Sequence, residues 1–464
     1  MLEEQVLREL QDIVGKGYAR SDPEDLICYG FDATFRDGMP DVVVSPATTE
    51  EVVRVMQLAD REEIPVVPRG LGSGLAGGSI PIRGGIVLNL TRMNRILEID
   101  KANMVAVVQA GVVTADLQSA VAKEGLYYPP DPSSQRHSSI GGNIACNAGG
   151  PHCLKYGVTA DYVMGLEVVL ADGRVLRTGG KTIKHAVGYH LSHLFIGSEG
   201  TLGVITEATL KLIPPPKATC TAMAVFPKLI DASVAVTKAL EAGIIPVAME
   251  IMDDTTIATV EAHKKMGLPL DVEAILIIET DGDPELAQRD IEEIGHICWD
   301  NGARDVRMTS DPQEGAALMA ARKAVSPSLA RRRPNKLGED ITVPRSAIPE
   351  AVRRIKEVSR RYNLPIPIFG HIGDGNLHPN ILFDRNDPEE FARVEKAAEA
   401  LFEIAMSLGG VLSGEHGVGL LKRDYAEQNL GTVAIDVMRA IKRTLDPKGI
   451  LNPGKVLPEG MGER

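Results

Sequence analysis

The chain has 464 residues, of which 44% are hydrophobic and 24% are charged, a composition typical of globular proteins with large cores. Its 50 lysines and arginines and 63 aspartates and glutamates give a net charge of −13, which argues against general binding to nucleic acid. The N-terminus lacks a signal-peptide pattern, and no apolar run approaches the roughly 18 residues of a membrane-spanning helix. The five cysteines include no CxxC pair. These features predict a cytoplasmic protein without membrane insertion, zinc ribbon or iron–sulfur cluster.

The first part of the chain alternates strand-like and helical patterns. A short strand is predicted at 41–44, a helix with start signals at 48–51, and a second strand at 64–67. This β-α-β opening leads into a glycine-rich loop at 68–78. Further strands are predicted at 86–90, 96–99, 105–108, 166–170 and 204–212. Pro214, Pro215 and Pro216 then mark a domain boundary.

The rest of the chain predicts a second domain and a shorter closing segment. A strand at 274–278 alternates with helices at 287–299 and 349–362, which indicates an α+β domain. From about residue 411 the sequence returns to glycine-rich loops and ends in a helix. We therefore predict three parts, listed by residue: 1–216, with a helical segment at about 1–38; 217–410; and 411–464.

Three loops rich in small residues suggest a large ligand that is held by the backbone. Residues 72–77 match the dinucleotide fingerprint letter for letter, but no helix can begin directly after them, which excludes a Rossmann fold. The other interpretations are a glycine nest for a diphosphate and a mobile surface loop. Two further segments of small residues, 138–150 and 196–203, favour a dinucleotide.

A histidine-rich segment indicates a metal site. His371 and His378 flank a Gly-Asp-Gly turn, and Glu415 and His416 follow in a second glycine-rich loop. Two imidazoles and one carboxylate suit Zn²⁺, Fe²⁺ or Mn²⁺ with positions left open for substrate. A site without metal, in which these residues only hydrogen-bond the substrate, is the alternative.

Between residues 322 and 336 all the charged side chains are lysines and arginines, and no aspartate or glutamate is present. Most of them are explained by a solvated helix face and a basic loop. A carboxylate substrate nevertheless needs at least one fixed cation, preferably a guanidinium.

Several motifs together resemble a known flavoprotein superfamily. They are residues 68–74 (PRGLGSG), 139–145 (SIGGNIA), 155–157 (KYG), 165–173 (GLEVVLADG) and 197–203 (GSEGTLG). This chain is similar to the vanillyl-alcohol-oxidase/p-cresol-methylhydroxylase flavoproteins, in the branch of glycolate oxidase D-subunits, D-lactate dehydrogenases and D-2-hydroxyglutarate dehydrogenases. The resemblance implies an α+β fold, with a two-part FAD-binding domain and a substrate (cap) domain that contains an antiparallel sheet. Ser73 occupies the position of a flavin-linked histidine in some relatives, so the resemblance implies non-covalent FAD.

The resemblance also implies a set of site residues. The expected FAD contacts are Arg69, Gly70, Leu71, Gly72, Ser73, Gly74, Ser79, Pro130, Asp131, Ser139, Gly142, Asn143, Cys146, Asn147, Gly149, Tyr156, Gly157, Glu199, Gly200, Gly203, Ile205 and Asn452. A divalent metal (Zn, Fe or Mn) is expected on His371, His378 and Glu415, and the catalytic base is expected to be His416. Arg322, Lys336 and Asn376 are the expected substrate contacts.

The implied activity is FAD-dependent oxidation of a small D-2-hydroxy acid to the 2-oxo acid, most simply D-lactate or glycolate. Electrons would leave to an electron-transfer flavoprotein or a partner redox subunit, since the cysteines indicate no second redox centre. The alternatives are a non-catalytic flavin-bearing electron-transfer subunit, an oxygen-reducing oxidase and a metal-dependent hydrolase. The choice among glycolate, D-lactate and D-2-hydroxyglutarate stays open, as does a homo-oligomer.

Overall fold

The computed structural model describes residues 2–34 and 36–459. Its internal contacts divide the chain into two compact units. Unit 1 consists of Met1–Gly149, Val158–Pro215 and Glu415–Arg464, and unit 2 consists of Gly150–Gly157 and Pro216–Gly414. Residues 150–157, which the sequence analysis assigned to the first domain, therefore pack within unit 2.

The strands follow one another in chain order. They are β1 (Ala19–Arg20), β2 (Val42–Val44), β3 (Val66–Arg69), β4 (Ile86–Asn89), β5 (Ile96–Asp100), β6 (Val105–Gln109), β7 (Val163–Val169), β8 (Val175–Gly179), β9 (Val204–Lys211), β10 (Ala218–Phe226), β11 (Ala248–Asp253), β12 (Ala274–Gly282), β13 (Asp305–Thr309), β14 (Asn335–Gly338), β15 (Ile341–Thr342), β16 (Ile368–His371) and β17 (Asn376–Phe383). All the strands expected from the sequence are present, with ends shifted by a few residues.

The α-helices are α1 (Glu4–Val14), α2 (Pro23–Cys28), α3 (Thr49–Arg61), α4 (Thr114–Lys123), α5 (Ile140–Cys146), α6 (Cys153–Tyr156), α7 (Ser192–Phe195), α8 (Leu229–Glu241), α9 (Asp254–Lys264), α10 (Pro284–Asp300), α11 (Pro312–Lys323), α12 (Val325–Leu329), α13 (Ile348–Tyr362), α14 (Pro388–Ser407), α15 (Ala426–Leu430) and α16 (Thr432–Leu445). None of the described helices combines the length and the apolar character needed to cross a membrane.

Unit 1 contains two sheets. The first has the order β1-β2-β4-β3, in which β4 pairs in parallel with both β2 and β3. Helix α3 connects β2 to β3 and begins where the sequence predicted, because the Thr48 side chain accepts a hydrogen bond from the Glu51 N–H. The second sheet has the order β5-β6-β9-β7-β8 and is antiparallel. Strands of both sheets bury most of their valine and isoleucine side chains, although Val175 on β8 is exposed.

Unit 2 is built on one large antiparallel sheet. Its order is β13-β10-β12-β11-β16-β17-β14, and β15 also pairs with β17. Helices α9, α11 and α12 contribute to a buried apolar cluster that includes Ile257, Met319 and Leu329 together with residues of β12 and β16. The α+β class and the antiparallel sheet of the second domain are confirmed. The central strands β11, β16 and β17 also position most of the polar side chains described next for this unit.

Candidate active site

In unit 1 the segment after β3 is an irregular loop, as the sequence predicted. Residues 70–85 contain no helix, which confirms that the Rossmann interpretation was rightly rejected. Gly72 has a φ of +71°, and a Cβ there would lie 2.1 Å from Nη2 of Arg69. The backbone N–H groups of residues 71–76 donate to no other backbone group among the described residues. This loop therefore offers several amide donors, as an anionic diphosphate requires.

Buried side chains tie this loop to two later segments of unit 1. Asn452 Nδ2 donates to the carbonyls of Gly78 and Glu199, at 2.8 and 2.7 Å. Glu199 Oε1 accepts from the N–H groups of Val418 and Gly419, at 2.8 and 3.1 Å. Burial raises the pKa of Glu199. Glu199 Oε2 and Asn452 Oδ1 are buried without a hydrogen-bond partner in the described part of the chain, so a bound cofactor could supply one.

Charged groups lie beside the same loop. Burial lowers the pKa of Lys455 to about 8, and its Nζ donates to the carbonyl of Ile80 at 2.6 Å. Burial likewise lowers the pKa of Arg69, whose Nη1 donates to Ser79 Oγ at 3.2 Å. Asp32 is buried and its pKa is raised, first because of burial. Amide donors, two buried cations and unpaired buried oxygens together fit a dinucleotide with a negatively charged diphosphate.

In unit 2 the hairpin of β16 and β17 brings two predicted metal ligands together. His371 ends β16 and His378 lies within β17, and their rings are 5.1 Å apart at an interplanar angle of 89°. Gly370 makes the close strand approach possible, because a Cβ there would lie 2.6 Å from the carbonyl oxygen of Asn376. The turn therefore places the two imidazoles next to each other, and both are buried.

His371 and Arg322 share a buried carboxylate. The His371 Nδ1 atom lies 2.5 Å from Glu250 Oε1, and Arg322 Nε donates to Glu250 Oε2. Glu250 is fully buried, and Arg322 is only 7% exposed. Burial alone would raise the pKa of Glu250, but the charge of Arg322 and the hydrogen bonds from His371 and Arg322 hold it below its usual value. The predicted substrate cation and one predicted metal ligand are thus parts of one ionised network.

A second buried acid lies beside His378. Asp340 Oδ1 is 3.7 Å from His378 Nδ1 and accepts a hydrogen bond from Asn376 Nδ2 at 2.7 Å. Asn376 Nδ2 also lies 3.0 Å from Thr342 Oγ1, and Asp340 Oδ2 accepts from Ser413 Oγ at 2.9 Å. The amide nitrogen of Asn376 is therefore committed to the protein, which leaves its oxygen for a substrate. Imidazole nitrogens next to carboxylate oxygens are a donor set that suits Zn²⁺ or Mn²⁺.

Lys336, the third predicted substrate contact, lies on β14. Its Nζ donates to Ser326 Oγ at 2.8 Å, and burial lowers its pKa. No acidic partner of Lys336 occurs among the described ion pairs. A partly buried ammonium whose described hydrogen bond goes to a hydroxyl can also bind an anionic ligand.

Glu415 and His416 belong to unit 1. We expected their side chains to point in opposite directions if the segment were extended. The chain bends at residues 414–416 instead, and His416 Nε2 lies 3.8 Å from Glu415 Oε1. The condition for that expectation is therefore not met, because alternation of side chains requires a strand and this segment is not one.

Comparison with known proteins supports a flavin-linked role. Residues 40–179 match the model described as "FAD binding domain", and residues 215–456 match "FAD linked oxidases, C-terminal domain". The chain is 46% identical to the glycolate oxidase subunit GlcD of Bacillus subtilis (strain 168), over 94% of this chain and 93% of that protein. The chain belongs to the FAD-linked oxidase family. It is accordingly an oxidoreductase with an FAD-binding domain.

Other members of the FAD-linked oxidase family carry two different functional names. The chain is 41% identical to the GlcD subunit of Escherichia coli (strain K12), over 90% of this chain and 84% of that protein. It is 37% identical to a D-lactate dehydrogenase of Anaerostipes hadrus, over 91% of each chain.

Solved structures share the fold. A substrate-bound p-cresol methylhydroxylase has a TM-score of 0.81 at 19% identity, over 97% of this chain and 96% of that one. The 4-ethylphenol oxidase of Gulosibacter chungangensis has a TM-score of 0.80 at 22% identity, over 98% of this chain and 97% of that one. The fold of the vanillyl-alcohol-oxidase/p-cresol-methylhydroxylase flavoproteins, expected from the motifs, is therefore confirmed.

Several residues predicted to contact FAD have clear local roles in the fold. Ser139 caps α5 by accepting a hydrogen bond from the Gly142 N–H, and Asn143 Nδ2 donates to Thr114 Oγ1 at 2.7 Å. Asn147 ends the helix with a φ of +52°. Their side chains thus shape a short helix, and any contact with the cofactor stays a prediction.

The remaining predicted FAD contacts are divided between the units. Tyr156 and Gly157 lie in unit 2, where Tyr156 Oη donates to Asp281 Oδ2 at 2.5 Å. In unit 1, Gly203 packs so closely that a Cβ would lie 2.5 Å from Val168 Cγ1. Also in unit 1 are Gly70, Leu71, Ser73, Gly74, Pro130, Asp131, Cys146, Gly149, Gly200 and Ile205. Burial raises the pKa of Cys146 to about 12, so this thiol is unreactive at neutral pH.

Sequence reasoning missed Glu250, Asp340, Lys455 and Asp32. A signal existed for Glu250, since it is the only acid in the apolar run 247–252, and a buried carboxylate needs a partner. Asp340 and Asp32 lie in segments without periodicity, and nothing local distinguishes them from exposed acids. Lys455 was part of a segment that we singled out for Asn452 alone.

Proposed function

We propose that this FAD-linked oxidase is a dehydrogenase that converts a small D-2-hydroxy acid, D-lactate or glycolate, to the 2-oxo acid. The observation that carries the proposal is the buried group of Arg322, His371 and His378 in a chain with an FAD-binding domain. The names of its relatives, glycolate oxidase subunit and D-lactate dehydrogenase, support the same substrate class. Non-covalent FAD is part of the proposal, because Ser73 cannot form a histidyl link.

Cationic side chains would bind the substrate carboxylate. Arg322 can offer its Nη groups, since its Nε already donates to Glu250. Lys336 would add a second positive charge, and Asn376 would add an acceptor oxygen for the hydroxyl. A fixed guanidinium binds a carboxylate with defined geometry, which orients the C2–H bond.

His416 would remove the hydroxyl proton. An imidazole whose pKa is near neutrality is suited to accept a proton from an alcohol. The Glu415 carboxylate beside it would bind a divalent metal together with His371 and His378. Such a metal would supply Lewis acidity that lowers the pKa of the hydroxyl group. FAD would supply the hydride acceptor, at flavin N5.

The electrons would pass to an external acceptor, either an electron-transfer flavoprotein or a partner redox subunit. The word "subunit" in the names of the GlcD relatives supports a partner. Cytoplasmic location and the choice of acceptor stay predictions.

The experiment is anaerobic mixing of the FAD-loaded protein with D- and L-2-hydroxy acids, followed by absorbance of the oxidised flavin. Rapid bleaching by D-lactate or glycolate, and none by L-lactate, is expected. Stable flavin colour with every acid would overturn the proposal in favour of an electron-transfer subunit. Stoichiometric peroxide in air, with no faster turnover when a dye acceptor is added, would identify an oxygen-reducing oxidase.

A further inference from the structure

Glu250 is a carboxylate in an otherwise apolar position of unit 2. It lies on β11 between Met249 and Ile251, and all three residues are buried. Its backbone is paired with His371 in the register of β11 and β16. The close contact between the two side chains is therefore set by the sheet itself, and does not depend on a flexible loop.

Both oxygens of Glu250 accept hydrogen bonds from donors that matter for the proposed reaction. Oε1 contacts His371 Nδ1 at 2.5 Å, and Oε2 contacts Arg322 Nε. The Arg322 guanidinium also lies over the Phe369 ring, with Cζ 4.9 Å from its centroid. The guanidinium is therefore held from two sides.

The acceptor at Nδ1 decides the tautomer of His371. A carboxylate oxygen can only accept, so in the neutral imidazole the proton resides on Nδ1 and the lone pair on Nε2. Only a nitrogen with a lone pair can bind a metal ion. Carboxylates that orient metal-binding histidines in this way raise the basicity of the ligand.

We propose that Glu250 is a positioning residue that holds His371 ready to bind a divalent metal through Nε2 and, at the same time, orients Arg322 toward the substrate carboxylate. The inference rests on the proposed function, which supplies the metal and the substrate. It adds a residue that couples the two binding events through one side chain.

Replacement of Glu250 by Gln tests this role with little change in shape. His371 and Arg322 both present donors, whereas the amide has one acceptor oxygen and one donor nitrogen. If the amide oxygen faces Arg322, its NH₂ group faces Nδ1 and favours the tautomer with the proton on Nε2. We therefore expect Glu250→Gln to lower the affinity for Mn²⁺ about tenfold to hundredfold.

Asp253→Asn is the matched control. Asp253 is a fully buried carboxylate on the same strand, and it pairs with Lys356 at 2.6 Å. Mn²⁺ binding to the FAD-loaded proteins is measured from the free Mn²⁺ signal in electron paramagnetic resonance, together with flavin content and melting temperature. Weaker binding in Glu250→Gln, at unchanged flavin content and with wild-type affinity in Asp253→Asn, supports the proposal.

Equal Mn²⁺ affinity in Glu250→Gln and wild type would overturn the role of Glu250, as would wild-type protein that binds no Mn²⁺. Failure of every 2-hydroxy acid to bleach the flavin, with the affinity difference intact, would overturn the proposed function and the part of the inference that concerns Arg322, and would leave the role of Glu250 toward His371 standing.

A second measurement needs no variant at position 250. In metal-free protein labelled with ¹⁵N-histidine, the signal that is lost in His371→Gln reports the tautomer of His371. A proton on Nδ1 is expected, and a proton on Nε2 would overturn the proposal even if Glu250→Gln does not fold.

Discussion

The two units of this FAD-linked oxidase family member would bind their ligands in different ways. Unit 1 uses the backbone: the loop at 70–78 offers N–H groups, and Glu199 and Asn452 fix the segments around it through main-chain contacts. Unit 2 uses side chains: Glu250 on β11, His371 on β16 and Arg322 on α11 form an ionised network between elements that are distant in sequence. A backbone site tolerates changes in most side chains but not in its glycines, whereas a side-chain network fails when a single partner is lost.

The largest expected effect is on chemistry at His416. We expect His416→Ala to keep FAD and its melting temperature but to lose flavin reduction by about 10²- to 10⁴-fold, because no group of similar pKa replaces the imidazole. Stopped-flow absorbance under anaerobic conditions measures the rate. His193→Ala is the control, since His193 lies on α7 outside the proposed site. Bleaching at the wild-type rate would remove His416 from the role of base.

The second-largest expected effect is a loss of stability in unit 2 when Arg322 is replaced. Arg322→Leu leaves the Glu250 carboxylate buried without its guanidinium, and loss of one member of a buried ion pair costs about 3–5 kcal/mol of the free energy of unfolding. Arg353→Leu is the control, because Arg353 is exposed and pairs on one helix face, where ion pairs contribute less than about 1 kcal/mol. Urea unfolding measures both variants.

A double variant sharpens the same test. Arg322→Leu with Glu250→Leu removes both charges, so it should recover part of the lost stability. Equal losses in the single and double variants would mean that the unpaired carboxylate is not the cause.

The contrast between the units also explains which features of the fold and of the site could be predicted from the sequence. The glycine-rich loop at 68–78 and the α+β pattern of the second domain were predicted because glycine patterns and hydrophobic periodicity are local properties, whereas the antiparallel sheet was expected only from the family resemblance. The Gly-Asp-Gly turn between His371 and His378 likewise predicted that these two side chains lie close together. Glu250 is 121 residues from His371, and only the β11–β16 register joins them. The conformation of residues 414–416 was left open, and the nearby Val418 and Gly419 make their side-chain contact with Glu199, more than 200 residues earlier in the chain.

A smaller effect concerns the buried ammonium of unit 1. The folded pKa of Lys455 is about 8, against 10.5 for an ordinary lysine. From pH 8 to 10.5 the unfolded chain therefore binds more protons, and the free energy of unfolding of FAD-free protein rises with pH. The rise from this one group is at most about 3 kcal/mol.

Lys455→Met should lack that rise, whereas Lys448→Met, which removes a partly exposed lysine, should keep it. Urea unfolding at several pH values in this window measures the difference. A rise of the same size in Lys455→Met would assign it to other groups. Bound FAD should reduce the rise in the wild type if its diphosphate lies near Lys455, because a nearby anion stabilises the ammonium.

The smallest expected effect tests the backbone character of unit 1. Gly72→Ala places a methyl group at a φ of +71° and 2.1 Å from Arg69 Nη2, so both the loop and the guanidinium must shift. We expect FAD to bind about tenfold to hundredfold more weakly, in line with a strain of about 1–3 kcal/mol. Gly431→Ala is the control, because Gly431 also has a positive φ of +85° but lies between α15 and α16, outside the loop, with no atom within 4 Å of an added Cβ, and wild-type affinity for FAD is expected. Fluorescence titration with FAD measures both variants. Unchanged affinity in Gly72→Ala would show that unit 1, like unit 2, depends mainly on side chains, and the contrast between the units would then disappear.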